Sequence, residues 1–227
     1  MLKRKPNLLS SSLEKTIKTE FKIFRDLGFS TDDVADIVAG DPWILTRSVD
    51  DRIAPSILDL ESVLGSKADI VKLLKTSAWF LKCDLQKTIM PNIEYLRSCG
   101  ISLSQIVFYL FSYPTFFLHK AESIKQFVKR SNDMGVDRKS NMFFVAIRTL
   151  SSMSEEKWEQ KLGFSEDDIL STFRRTPHVF NVSEGKIKEI TDFLLTRKNV
   201  GISLITSNPL VLSYSPEHRL KPRLLVI

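Results

Sequence analysis

The chain has 227 residues, of which 43% are hydrophobic, and its 33 Lys and Arg outnumber its 27 Asp and Glu to give a net charge of +6. This length and apolar content predict a folded protein with a packed core, and the most apolar stretch, residues 106–118, is too short and too interrupted to cross a membrane. The basic charge favours a polyanionic partner, nucleic acid ahead of an anionic membrane surface.

Helix ends recur along the chain at nearly regular intervals. The first predicted helix ends at Leu27-Gly28, because a residue just past a helix end often needs a positive φ, which glycine adopts without steric cost. The same setting returns at Gly65, Gly100, Gly135, Gly163 and Gly201. The interval predicts about six tandem repeats of roughly 30 to 36 residues.

A short helix is predicted after several of these glycines. Ser30 precedes Asp33 by three residues, and Ser165 precedes Asp168 in the same way, which is the spacing of a capping box. The acids would also oppose the positive end of the helix dipole, so we interpret them as structural and not catalytic. One apolar face is predicted to be buried, with equivalent positions at Val34, Ile70, Ile106 and Ile169.

Prolines mark two further positions of the repeat. The first is predicted to end the short helix and the second to lie in the first turn of a longer helix. The first holds Pro42, Pro114, Pro177 and Pro209, with Ala78 in the second repeat, and the second holds Pro55, Pro91 and Pro222. The apolar residues after the first position, such as Trp43 and Trp79, are predicted to form a tight turn inserted into the core. Each repeat is therefore helix, turn, helix.

These features predict an all-α, helical-repeat solenoid that forms one array. We place the repeats at roughly 8–45, 46–81, 82–117, 118–150, 151–180 and 181–215, followed by a C-terminal helix at 216–227. Residues 132–161 keep the period loosely, yet the cap and proline positions return directly afterwards. A single continuous array is therefore favoured over two domains.

Residue types that carry catalysis are sparse. Cys83 and Cys99 show no C-x-x-C spacing, and the histidines, His119, His178 and His218, lie far apart without metal-ligand or triad spacing. No phosphate-binding glycine loop or nucleophile elbow occurs. The sequence predicts no enzyme, no catalytic residue, no metal and no cofactor.

The motif LGFS-x-DD-[IV], followed by P-x-[IVF] and by the C-terminal run NPLVLSYSPEHRLKPRLLVI, resembles the mitochondrial transcription termination factor (mTERF) family, particularly its plant members. The resemblance implies a curved superhelix of three-helix motifs, the third being short, that binds nucleic acid along a basic concave groove in chloroplasts or mitochondria. A transit peptide, if the protein has one, is expected to have been removed from this sequence. Residues 158–162 and 197–204 depart from the family pattern.

Basic residues near the turns are the predicted nucleic-acid contacts, since clustered Lys and Arg bind phosphates. The denser set is Arg174, Arg175, Lys186, Lys188, Arg219, Lys221 and Arg223; the sparser set is Arg47, Arg52, Lys82, Lys87, Lys120 and Lys125. Neighbouring acids such as Asp84 and Glu122 could neutralise the sparser set. Base stacking by Phe111, Tyr113, Phe116 and Phe117 is an alternative use of the aromatic residues, but core filling is favoured.

The leading hypothesis is a monomeric regulator of organellar gene expression that binds double-stranded DNA or RNA and acts without catalysis. It would terminate or pause transcription, or assist RNA processing, by steric and electrostatic means. Organellar RNA polymerase and splicing factors are further candidate partners, and no membrane partner is expected. The alternative is a helical-repeat scaffold that binds proteins within an organellar complex.

Overall fold

The structure, a computed structural model, describes residues 18–42, 44, 53–152, 165–196 and 200–224. Over these residues it consists of α-helices, 3₁₀ turns and a π-turn, and contains no β-strand, which confirms the all-α, helical-repeat prediction. The chain divides into two compact units, Met1–Ala121 and Glu122–Ile227. The predicted repeat boundaries and the single array stay predictions.

The first unit alternates short helices, turns and longer helices. Its α-helices are α1 (Lys18–Asp26), α2 (Thr31–Gly40), α3 (Ala54–Leu64), α4 (Lys67–Ser77), α5 (Leu85–Thr88), α6 (Met90–Ser98) and α7 (Leu103–Ser112). The 3₁₀ turns Ala78–Lys82 and Pro114–Leu118 follow α4 and α7. Helix α8 (Ala121–Asp133) begins at the last residue of this unit.

The second unit continues the same alternation. Its further α-helices are α9 (Met142–Ser151), α10 (Glu166–Arg175), α11 (Glu184–Leu195), α12 (Ile202–Ser207) and α13 (Lys221–Leu224). The 3₁₀ turns Pro177–Asn181 and Pro209–Ser213 follow α10 and α12, and a π-turn, Pro216–Leu220, precedes α13. Where the structure describes the chain, none of its helices is long and apolar enough to span a bilayer.

Both predicted serine N-caps form, and the capping box at Ser165 is complete. The Ser30 hydroxyl accepts from the Asp33 backbone N–H at 3.1 Å and donates to the Asp33 carboxylate at 2.7 Å. At α10, Ser165 and Asp168 cap each other reciprocally. Each cap satisfies backbone donors that the first helical turn leaves free, which is worth about 1 kcal/mol. Asp33 and Asp168 therefore have a structural role at the helix caps, as predicted.

Three prolines of the first position and two of the second lie where they were predicted. Pro114, Pro177 and Pro209 each open a 3₁₀ turn directly after a short helix, because proline lacks the N–H that would continue it. Pro55 lies in the first turn of α3 and Pro91 in that of α6. The longer helix of the repeat that contains Pro91 is interrupted just before it, so it forms as α5 and α6.

Four of the six predicted helix-ending glycines have the expected backbone. Gly28, Gly65, Gly100 and Gly135 have φ values of 85°, 72°, 95° and 76°. Gly163 lies outside the described residues. The prediction for Gly201 is wrong: its φ is −102°, and it is the N-cap of α12, where its carbonyl accepts from the N–H of Leu204 and Ile205. It therefore stands where Ser102 and Ser165 stand in other repeats.

The apolar face of the short helices forms the core with the turns. Val34, Ile70 and Ile106 are fully buried at equivalent positions of α2, α4 and α7, whereas Ile169 of α10 is half-buried. Each fully buried aliphatic side chain of this size contributes about 1.5–3 kcal/mol. The turns add Phe80 and Phe117, both fully buried. Trp43 lies outside the described residues, and Trp79 is half-buried.

A side-chain hydrogen bond ties each of these four turns to the preceding longer helix. In the first unit the Ser56 hydroxyl of α3 donates to the Cys83 carbonyl at 3.5 Å, and the Asn92 amide of α6 donates to the Phe117 and His119 carbonyls at 3.0 and 2.8 Å. In the second unit Asn181 donates to Thr149 of α9 at 3.2 Å, and Lys186 of α11 donates to the Ser213 carbonyl at 3.2 Å. The bonds from Ser56, Asn92 and Lys186 also satisfy backbone carbonyls at the ends of their turns.

Candidate nucleic-acid interface

Acids partly neutralise the predicted basic residues of the first unit. The Lys82 ammonium lies 2.5 Å from the Asp41 carboxylate, and the Lys87 ammonium lies 3.3 Å from that of Asp84. The Lys87 side chain is nonetheless 83% exposed, and Lys120 is exposed. Exposed ion pairs are weak enough to exchange for a phosphate contact. Arg47 and Arg52 lie outside the described residues.

The arginine pair at the end of α10 contacts the carbonyl ends of two other helices. The Arg174 Nε donates to the Met134 carbonyl at 2.6 Å, and the guanidinium lies over Gly135, just past α8. The Arg175 Nη1 donates to the Ser207 carbonyl at the end of α12, at 3.3 Å. Helix C-termini carry partial negative charge, which these cations offset. Both arginines are exposed overall and keep further N–H donors available.

The remaining basic residues of the second unit differ in how firmly they are held. Lys186 is half-buried against the Ser213 carbonyl, whereas Lys188 is exposed. The Arg219 guanidinium lies 5.4 Å from the centre of the Tyr214 ring, and Lys221 pairs with Glu217 one helical turn earlier. The Arg223 side chain lies outside the described residues, and the Lys125 ammonium pairs with Glu122 at 2.8 Å.

Three of these side chains converge on one segment of the second unit, residues 207–214. Arg175 bonds to the carbonyl of Ser207, Lys186 bonds to that of Ser213, and Arg219 packs on Tyr214. Since the three come from α10, α11 and the π-turn, only the tertiary fold brings them together. We call this group the 207–214 basic cluster.

The sequence reasoning did not single out the lysines of α4. The Lys75 ammonium lies 3.1 Å from each of the Asp33 and Asp36 carboxylates of α2, and Lys72 lies 5.0 Å from the centre of the Phe111 ring of α7. The Ser30 hydroxyl and then Lys75 hold the pKa of Asp33 below its ordinary value of 3.8. Asp36 and then Asp33 raise the pKa of Lys75 above 10.5. Lys72 and Lys75 lie three residues apart in α4, and this helical spacing could have identified them from the sequence.

The aromatic residues divide between core and surface. Phe116 and Phe117 are buried, as the core reading predicted, but Phe111 is only half-buried and Tyr113 is 38% exposed. Phe108, which the sequence reasoning did not discuss, is 61% exposed. Among the described residues, no group of three or more His, Cys, Asp and Glu side chains is placed to hold a metal ion.

The fold and this arrangement define an all-α helical-repeat protein whose turns carry basic side chains. The profile of the mTERF family matches residues 1–140 and 148–227, and the chain belongs to that family, whose members regulate organellar gene expression by binding nucleic acids. It is 19% identical to the chloroplastic transcription termination factor MTERF8 of Arabidopsis thaliana, over 98% of this chain and 46% of that relative. The chain thus spans about half the length of this curated relative.

Proposed function

We propose that this protein binds double-stranded DNA or RNA through exposed basic residues beside its turns and regulates gene expression in the chloroplast. Family membership supports the general class, and the name of the Arabidopsis relative supports the organelle and a role in transcription termination. The observation that carries the residue-level proposal is the 207–214 basic cluster, in which three cations from separate elements contact one segment.

The side chains in this cluster are held in place before any ligand arrives. Arg175 spends one N–H on the Ser207 carbonyl, and Arg219 is oriented by the Tyr214 ring, so each loses little rotamer freedom when it binds a phosphate. Phosphate binding releases condensed counterions, which supplies most of the affinity. Bound protein would then obstruct a polymerase or hold an RNA by steric means, with no bond broken or made.

Exposure ranks the predicted contacts. Arg175, Lys188 and Arg219 are exposed in the second unit, as are Lys87 and Lys120 in the first. Arg174 is exposed too, but its Nε is held by the Met134 carbonyl at 2.6 Å, and the half-buried Lys82 and Lys186 hold carboxylate or carbonyl partners that a phosphate would have to replace. We therefore assign phosphate binding first to the five residues named above and a supporting role to these three.

Salt dependence of binding tests this proposal. The logarithm of the affinity should fall with the logarithm of salt concentration by about 0.9 per phosphate neutralised on duplex DNA. Replacing Arg175, Lys188 and Arg219 by Gln should therefore reduce that slope by about 2 to 3 and weaken binding to all duplex sequences alike.

A matched control changes two exposed basic residues of α1, Lys22→Gln and Arg25→Gln, which this proposal does not use. It should leave the slope nearly unchanged. Absence of binding to duplex DNA and duplex RNA, or binding that does not respond to salt, would refute the proposal. The latter result would favour the protein-scaffold alternative.

A further inference from the structure

The second unit holds an apolar hollow that the proposed function does not use. Its walls are formed by Leu194 of α11, Leu204 and Ile205 of α12, and Leu220 of the π-turn, and its volume is about 270 Å³. An apolar cavity of about 150 Å³ accommodates a benzene molecule, so this hollow has room for a leucine or phenylalanine side chain. Leu204 is 49% exposed, so the hollow opens to solvent.

A larger cleft adjoins the hollow and carries positive charge. Its volume is about 590 Å³, Arg175 forms part of its wall, and it shares Asn208, Val211 and Tyr214 with the hollow. No carboxylate lines either space within the described part of the chain, and the Arg219 guanidinium packs on the Tyr214 ring. An apolar site and a cationic site therefore stand side by side.

The two sites call for a ligand that is apolar at one point and anionic at the next. Exposed apolar side chains that line a concave surface are typical of a site that a partner covers. The Arg175 guanidinium suits a carboxylate, which it binds through two parallel hydrogen bonds. A nucleobase suits the hollow poorly, because its polar edge would give up hydrogen bonds to water without gaining new ones.

We propose that the hollow and the cleft together form a docking site for a protein segment that carries a large apolar side chain close to an acidic one. The apolar side chain enters among Leu194, Leu204 and Leu220, and the carboxylate binds Arg175. This gives the protein a second partner of a different class from nucleic acid. The two functions share Arg175 but not Leu204, so they are separable by mutation.

The test measures the fluorescence anisotropy of labelled peptides mixed with the full chain. The peptides pair Leu or Phe with Asp or Glu at every spacing within one helical turn, and each is matched by a version with Ser for the apolar residue and a version with Lys for the acid. At the best spacing we expect measurable binding that either replacement weakens roughly tenfold.

Protein variants locate the site. Leu204→Ser and Arg175→Gln should each weaken peptide binding roughly tenfold, while Leu204→Ser should leave duplex binding unchanged. The control is Leu58→Ser, because Leu58 of the first unit is similarly exposed, at 56%. This variant should bind both the peptide and the duplex as the unchanged protein does. Loss of peptide binding in Leu204→Ser supports the docking site whether or not the protein binds a duplex.

Three results would overturn the docking site. The peptides could bind no more tightly than their Ser or Lys versions at every spacing, or Leu204→Ser could leave their binding intact. Deletion of the apolar residues Leu225, Val226 and Ile227 could also prove necessary before any peptide binds. In that last case the chain's own C-terminal residues fill the hollow and no partner does.

Discussion

Replacement of Asn92 by Ala tests how the turns are held to the preceding helix. Asn92 is 1% exposed, and its Nδ2 lies 3.0 Å from the Phe117 carbonyl, 2.8 Å from that of His119 and 3.0 Å from that of Thr88. The amide has only two hydrogens, so these contacts amount to two full hydrogen bonds. The change removes the donor that joins α6 to the turn Pro114–Leu118.

Three effects set the expected loss of unfolding free energy in Asn92→Ala. Two buried hydrogen bonds are worth about 1–1.5 kcal/mol each, and the missing side-chain volume adds about 1 kcal/mol. The Oδ1 of Asn92 has no hydrogen-bond partner among the described residues, so removing this buried oxygen offsets the loss by about 1 kcal/mol. The net loss of unfolding free energy is about 2–3 kcal/mol.

Urea denaturation, followed by circular dichroism, measures this loss. With an m-value of about 2 kcal/mol/M, the midpoint should fall by roughly 1–1.5 M. Ser56→Ala is the matched control, because Ser56 takes the same place after Pro55 but its hydroxyl lies 3.5 Å from the Cys83 carbonyl, the limit for such a bond. Its cost should stay below about 1 kcal/mol. Equal costs for the two variants would refute the reasoning.

Two further predictions concern the glycines and the α2–α4 ion pairs. Gly135→Ala should destabilise the protein by about 1 kcal/mol more than Gly100→Ala in the same urea assay. Both glycines have positive φ, but of the two only Gly135 would place a Cβ against Arg174, 2.9 Å from its Nε. Equal losses of unfolding free energy would contradict this contact. Lys75→Met should raise the pKa of Asp33 towards 3.8 in an NMR titration, because it removes a cation that lowers that pKa. The contribution of Asp33 to stability is present above pH 3.8 and is lost as the pH falls through its lower folded pKa. The contribution of Lys75 is present below pH 10.5 and is lost as the pH rises through its higher folded pKa. An unchanged Asp33 titration in Lys75→Met would contradict the pairing.

Buried polar residues have a common use in this fold. Ser56 and Asn92 follow directly after the second proline position, and both face the end of the next turn. In the second unit a lysine, Lys186, makes the corresponding bond to Ser213. Lys186, which the sequence predicted as a nucleic-acid contact, therefore also stabilises the repeat. A loss of nucleic-acid binding in Lys186→Ala would reflect this lost bond as well as a lost phosphate contact.

Much of the fold was predictable because its signals are local. The cap at Ser165, the helix end at Gly65 and the turn at Pro114 each depend on a few neighbouring residues, and all three formed as predicted. The prediction for Gly201 was wrong because glycine serves either end of a helix, and Gly201 is the N-cap of α12. The local pattern could not tell these two roles apart.

The candidate site was predictable only in part. The choice of Arg175, Lys186 and Arg219 rested on charge near turns, and the structure joins all three to one segment. Their different partners were not predictable, because a hydrogen bond to a carbonyl 27 or 32 residues away depends on packing between repeats. The same holds for the exposure of Phe108, since its outward position on α7 reflects which face the neighbouring helices cover.

The sequence by itself determined the repeat, the helix caps, the turns and the family, because each depends on short-range backbone chemistry or on periodic burial. Only the tertiary structure decided which cations stay free for a ligand and where the apolar hollow lies beside Arg175. Both depend on side chains from separate elements that meet in the folded chain, and no local spacing in the sequence encodes such a meeting.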